Sequence, residues 1–312
     1  MMTKDSFSGK YKRSGQAWQQ LPSGIFVPTA KISDISVRSK TNYLRIKERA
    51  IEIANLFVAA GLKLDASSGL GQLIGQAKEL SDNWLLAKEE DLNYKTFFLS
   101  MHLDRIADAI LPLSIVSDKK KFLKKLKSGT LDFFSREKSK AKNMLWEIEV
   151  WARLRKRLNT VFLEEPPDIV VRFENSSIGI SCKKLYSESH VQNVLSQAVK
   201  QIEQEFEFGV IAINLDDLLP ANAVLKMEST DAVTEKLNEI NVTFINRHVR
   251  HFTKYFSKSR IISAIISTSI LTDVPSEKPR FRNTSQWTIW TVSELSQRHK
   301  NQLTKLYSMV MN

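Results

Sequence analysis

Apolar positions in the first third of the chain recur every three or four residues. Leu44, Ile51, Ala54, Phe57, Val58 and Leu62, with Ile53 and Leu56 beside them, predict an amphipathic helix over 41–62. Ala66-Ser-Ser68 supplies the start of a second helix, 69–86, and a third runs over 94–111 to the breaker Leu111-Pro112. Ahead of them, residues 1–40 are rich in Ser, Lys and Gly with little periodicity, and read as a flexible basic arm. After Ser117-Asp118 comes the lysine-rich stretch 119–127, in which Phe122 and Leu126 form one apolar stripe, and then a longer helix over 131–158. Beyond it the period shortens to two. A strand over 160–163, two strands between Pro166 and Lys184, a helix over 188–206 and a strand over 209–215 give the order αβββαβ. A helix over 230–256, a β-branched run over 260–271, a strand over 286–292 and a terminal helix complete the chain.

The stretch from Pro166 to Lys184 reads as a β-hairpin. Ile169, Val171 and Phe173 alternate with Val170 and Arg172, Glu174-Asn-Ser-Ser177 is a polar turn, and Ile178, Ile180 and Cys182 share one face of the second strand. Ser181 and Lys183 then share the opposite face. Asp168 follows two prolines at the start of its strand, so an acid on one strand faces a lysine on the next.

Composition narrows the setting. With 312 residues, 42% of them apolar, the chain is long enough for a helical domain over 41–115 and an α/β domain over 116–312. No apolar run approaches the ~20 residues that span a bilayer, and the first residues lack an apolar signal core. A single cysteine fits a reducing compartment, and the expectation is a cytoplasmic protein. The net charge is +12, and residues 116–157 hold 14 Lys and Arg against 5 Asp and Glu, which is +9 of that total. This clustering directly ahead of the hairpin points to an anionic polymer as partner. Lys119, Lys120, Lys121, Lys124, Lys125, Arg155, Lys156, Arg157 and Lys184 are the expected phosphate contacts.

Several other patterns carry structure and not chemistry. Gly69, Gly71 and Gly75 have no preceding strand and no following Gly-Lys-Ser/Thr, so they are packing glycines. Cys182 has the parity of buried Ile178 and Ile180, which makes it an inert thiol despite His190 nearby. His248 and His251 lack the companions of a zinc site. Trp146 and Trp151 read as core, and Arg280-Phe-Arg282 as part of an exposed basic loop.

Pro167-Asp168, twelve intervening residues and Ser181-Cys182-Lys183, within the order αβββαβ, resemble the PD-(D/E)xK nuclease superfamily. The resemblance covers about 131–215. It implies an α/β protein with a restriction-endonuclease-like αβββαβ core, here behind an all-α N-terminal region. It also implies hydrolysis of DNA phosphodiesters with Mg²⁺ or Mn²⁺, RNA being the other polyanion of the same chemistry, and a setting in restriction or phage defence. Asp168 would be the principal metal ligand, joined by the Cys182 carbonyl and by Glu147 or Glu149 from the preceding helix. Lys183 would orient or deprotonate the attacking water.

Ser181 departs from the family pattern, which has an acid there. Glu188 and Glu203 are the candidates to replace it, and Gln197 and Gln201 share a face between them that would meet the metal or the phosphate. Two other readings remain open: a catalytically inactive nucleic-acid-binding protein on the same fold, or a helical interaction subunit. A homodimer or a partner subunit is compatible with all of them.

Overall fold

The computed structural model describes residues 11–13, 16–20, 26–29, 43–83, 94–133, 135–220, 223–277 and 280–311. It begins with three short strands, β1 (Tyr11–Arg13), β2 (Gln16–Gln20) and β3 (Phe26–Thr29), paired antiparallel in that order. The stretch expected to be irregular therefore holds regular structure at these positions. Strands of three to five residues repeat a period of two too few times to stand out in a Ser-, Lys- and Gly-rich background.

α1 (Tyr43–Ala59), α2 (Gly69–Asn83) and α3 (Tyr94–Ile110) follow, close to their expected bounds. The buried face of α1 is Ile46, Ala50, Ile53 and Phe57, spaced four, three and four apart, while Ile51 and Val58 are exposed. The apolar stripe is thus rotated from the one read in the sequence, toward Ile53, where α2 and α3 pack. Gly61 ends this helix at φ +64, and Leu62 N–H reaches back to Phe57 O at 2.9 Å. Ser68 caps α2 by accepting Gly71 N–H at 3.1 Å. A Cβ at Gly71 would lie 2.1 Å from Asp65 O, so the glycine permits a close backbone approach.

α4 (Lys119–Lys127) buries Phe122, Leu123 and Leu126. α5 (Lys140–Arg155) starts later than the expected 131. Ser139, in extended backbone, accepts Lys142 N–H and donates to Thr130 O at 2.6 Å, which fixes the helix start there.

The remaining strands form one mixed sheet. β4 (Val161–Leu163), β5 (Ile169–Phe173) and β6 (Ser176–Lys184) pair antiparallel, and the hairpin turn is only Glu174 and Asn175, because Ser176 already pairs with Phe173. α6 (Val191–Glu203) makes the crossover that parallel pairing requires, to β7 (Phe208–Asn214). β8 (Val224–Lys226) and α7 (Thr230–Phe256) lead to β9 (Ile261–Asp273), parallel to β7, and β10 (Phe281–Trp290) is antiparallel to it. The sheet order is β10-β9-β7-β6-β5-β4, and α8 (Gln297–Met311) ends the chain.

β10 begins earlier than expected, so that of the basic loop read at 280–282 only exposed Arg280 lies in the connection. Phe281 and Arg282 lie in the strand, Arg280 Nε and Nη2 donate to the Asp273 carboxylate at 2.6 and 2.9 Å, and Arg282 pairs with Glu277 at 2.7 Å. These guanidiniums close the β9–β10 end on its own acids.

Helices cover both sides of the sheet. Trp146 of α5 donates to Ala212 O at 3.1 Å and meets Trp287 edge-on, whereas Asn241 of α7 donates to the adjacent Thr288 Oγ1 at 3.0 Å. Neighbouring strand residues point to opposite faces, so α5 and α7 lie on opposite sides. One buried apolar cluster runs from Ile46 to Val310. Trp146 and Trp151 belong to it, as expected, and Trp151 Nε1 donates to Val161 O at 3.2 Å.

Buried Arg105 of α3 ties this architecture together. Its guanidinium takes both Glu149 oxygens on α5 and reaches Asp216 Oδ2, just after β7, at 2.7 Å. Asp216 Oδ1 in turn accepts Ser269 N–H of β9 at 2.7 Å. Replacing Arg105 by Met leaves two carboxylates buried without their cation, and is expected to cost about 3–5 kcal/mol of unfolding free energy in a denaturant titration.

Candidate active site

Asp168 stands immediately before β5, and the Ile169–Ile180 register sets it against the last residues of β6. Its N–H bonds Ile180 O at 3.2 Å, and its Oδ2 accepts Cys182 N–H at 2.6 Å. Lys183 Nζ lies 3.7 Å from that same oxygen. The acid and the ammonium placed on neighbouring strands by the alternation therefore meet.

Gln201 of α6 completes the set. Its Oε1 accepts from Ser181 Oγ and from Lys183 Nζ, both at 2.8 Å, and its Nε2 donates to Asp168 Oδ1 at 3.2 Å. One oxygen shared by Ser181 and Lys183 places both on one face of β6, as read from the period of two. An amide thus stands where a replacement acid was sought. Neither candidate for that acid is in this place: Glu188 binds Arg247 and His248, the latter at 2.8 Å, and Glu203 accepts Arg260 N–H at 3.3 Å. Gln197, one turn earlier on α6, is exposed.

The two acids of α5 separate. Residues two apart on a helix differ by about 200° in direction, and Glu149 points to Arg105 and away from Asp168. Glu147 is the partly buried acid that senses Asp168. Its carboxyl is pushed up to about 8, by burial first and then by the charges of Asp168 and Glu165, with Lys125 and Lys183 opposing. Glu165, not singled out from sequence, pairs with Lys125 of α4. The signal for it was two consecutive acids directly ahead of Pro166-Pro167-Asp168.

That ion pair puts the lysine helix at the rim of the site. Lys120, Lys121, Lys124 and Lys125 are exposed, as are Lys156 and Arg157, while Lys119 and Arg155 are partly buried. Lys119 donates to Ser114 O at 3.2 Å and Arg155 to Asn159 Oδ1 at 2.6 Å. A groove of about 910 Å³, partly open to solvent, runs between α4 and edge strand β4, with Lys121, Arg155, Phe162 and Glu164 among its walls. Lys184 is a correction to the expected phosphate contacts. Its side chain is buried on the other face of β6, 2.7 Å from Asp217 Oδ2 and 2.6 Å from Asn214 Oδ1. Cys182 is buried, and burial together with Asp168 and Glu147 raises its thiol well above the ordinary range.

Asp168, Glu147 and the Cys182 carbonyl are hard oxygen donors of the kind Mg²⁺ and Mn²⁺ accept. The fit is electrostatic as well, since a divalent cation would relieve the repulsion that holds Glu147 up. Among the described residues no group of three or more His, Cys, Asp or Glu is gathered to hold an ion with side chains alone.

The raised Glu147 carboxyl has a consequence for stability. It favours the folded state below its unfolded value of 4.5, and that advantage is lost as pH rises toward about 8. In EDTA, Glu147→Gln is expected to melt close to wild type at pH 4.5 and several degrees higher at pH 8, about 2–4 °C for each kcal/mol recovered. Calorimetry across this range is the check, and a variant that melts lower at pH 8 would contradict the electrostatic assignment.

Among the described residues no helix is long and apolar enough to cross a membrane. Comparison of the chain with protein-family models, with curated proteins and with solved structures finds no match.

Proposed function

We propose that this protein hydrolyses DNA phosphodiesters with a divalent metal ion, on a restriction-endonuclease-like core of the PD-(D/E)xK type. The observation that carries the reading is the approach of Asp168 and Lys183 to 3.7 Å at the open end of a sheet, with Glu147 in the same field. The succession α5-β4-β5-β6-α6-β7 supports it, with its antiparallel, antiparallel and parallel pairings.

Asp168, Glu147 and the Cys182 carbonyl would hold Mg²⁺ or Mn²⁺. When bound, such an ion supplies Lewis acidity toward a phosphoryl oxygen and a lowered pKa for its water. Lys183 faces the reacting phosphate, where its ammonium orients the nucleophile and offsets charge gathering on phosphorus. Gln201 fixes Lys183 and Asp168 together, and Ser181 fixes Gln201. The exposed lysines of α4 and the groove beside β4 take the flanking phosphates. The amide at Gln201 favours a second reading, in which the same fold binds nucleic acid without cutting it.

Plasmid nicking in Mg²⁺ or Mn²⁺ separates the two. Wild type is expected to cut, Asp168→Ala to be inactive, and Lys183→Ala to be slower by about 10²–10⁴. Salt-dependent binding with no cutting by wild type in either ion would sink the nuclease reading and leave the binding one. In EDTA, Lys120→Glu with Lys124→Glu is expected to weaken DNA binding for every sequence alike and to flatten the dependence of log K on log salt by about two. Fluorescence anisotropy at several salt concentrations measures both effects.

A further inference from the structure

A second cleft opens toward the same end of the sheet, on the face covered by α3 and α5. His102, Arg105, Phe133, Arg136, Asp216 and Ser269 are among its walls, and it encloses about 490 Å³ including the part open to solvent. Its distinguishing feature is a surplus of donors. Among the described residues Ser269 Oγ, on a residue only 5% exposed, has no hydrogen-bond partner, and neither has Arg136 Nε. Behind Ser269, the buried Ser267 Oγ, Ser285 Oγ, Asn214 Nδ2 and Trp287 Nε1 are likewise unpartnered. Strand register sets these side by side: Ser269 faces Ser285, and Ser267 lies between Trp287 and Asn214. Amide, indole and guanidinium nitrogens only donate, and hydroxyls donate readily. Buried polar groups are rarely left unsatisfied, and Ser269 Oγ and Arg136 Nε, the two of these that line the cleft, call for a ligand that offers acceptors.

The acid in the cleft does not meet that demand. Asp216 commits one oxygen to Ser269 N–H at 2.7 Å and the other to Arg105 at 2.7 Å. Arg136 Nη1 donates to Phe133 O at 3.4 Å and to Asp216 O at 3.3 Å, and approaches Asp217 at 3.6 Å. Asp217, however, is shared with Lys142 at 3.4 Å and Lys184 at 2.7 Å, and Arg136 Nε stays without a partner among the described residues. His102 is neutral, because burial takes its imidazole down to about 3. The cleft is thus left with guanidinium charge and a free hydroxyl.

We propose that this cleft binds a phosphate-class anion, whose oxygens accept hydrogen bonds from the Arg136 guanidinium and the Ser269 hydroxyl. The inference does not rest on cleavage at Asp168. Two sources share the chemistry. β5 and β9 are three strand spacings apart in the sheet, or ~14 Å. That in-sheet separation matches about four nucleotides of one strand of a duplex at ~3.4 Å each, so a backbone phosphate of nucleic acid that passes this end of the sheet is one source. A free phosphate compound fits as well.

The test uses the full chain in EDTA, as wild type, Arg136→Gln and Ser269→Val, each checked by thermal melting. Inorganic phosphate is titrated calorimetrically against chloride at constant ionic strength, and a labelled oligonucleotide is titrated by anisotropy. Wild type is expected to bind at least one of these probes, and the variants to bind it at least tenfold more weakly. Loss of oligonucleotide affinity, with about one unit taken from the salt slope in Arg136→Gln, assigns the anion to nucleic acid. Loss confined to inorganic phosphate assigns it to a free phosphate compound. Unchanged binding of both probes in a normally melting Arg136→Gln overturns the proposal, as does failure of wild type to bind either. Ser269→Val carries the same decision should Arg136→Gln not fold.

Discussion

Burial of β6 and β7 on both faces is the constraint from which the charge arrangement follows. β7 is buried throughout, and β6 is buried from Ile178 to Cys182. Ionised groups are excluded from such strands unless they are paired, so charge collects where the strands end. Lys183 and Lys184 are the first residues of β6 past that buried run, and the pleat sends them to opposite faces. Lys183 finds Asp168 and Gln201; Lys184 finds Asp217 and Asn214. Two polar networks therefore stand back to back across one strand. One includes an exposed rim and, in Glu147, an acid whose carboxyl is raised by burial and by Asp168. The other is balanced by Arg105, Lys142 and Lys184 and holds the helices to the sheet.

This division also explains what could be read from the residues alone. The hairpin, the shared face of Ser181 and Lys183 and the burial of Cys182 depend on a period of two and on neighbouring strands, so they are local information. Choosing between Glu147 and Glu149 is not local. Both share faces with apolar residues, and the choice depends on Arg105, 44 residues earlier, and on Asp216, 111 residues beyond Arg105. Lys184 reads as a phosphate contact in the sequence for the same reason, since its counter-charge arrives only after the β7 crossover. Arg280 and Arg282 look like a basic loop until β9 and β10 pair and bring Asp273 and Glu277 within reach.

Gln201 shows how a departure from a familiar pattern can be absorbed. A carboxylate at position 181 would add a third acid beside Asp168 and Glu147, whose carboxyl is already raised by burial first and then by the charge of Asp168. The amide instead accepts from Lys183 without adding charge, and its other end donates to Asp168, which a carboxylate could not do. Lys183 is thereby positioned by a neutral group and only loosely paired with Asp168 at 3.7 Å. Its positive charge is less fully cancelled than it would be against two acids. Ser181 with Gln201 thus adds no third acid to the pocket, and leaves Asp168 and Glu147 as the side chains on which any metal site would depend.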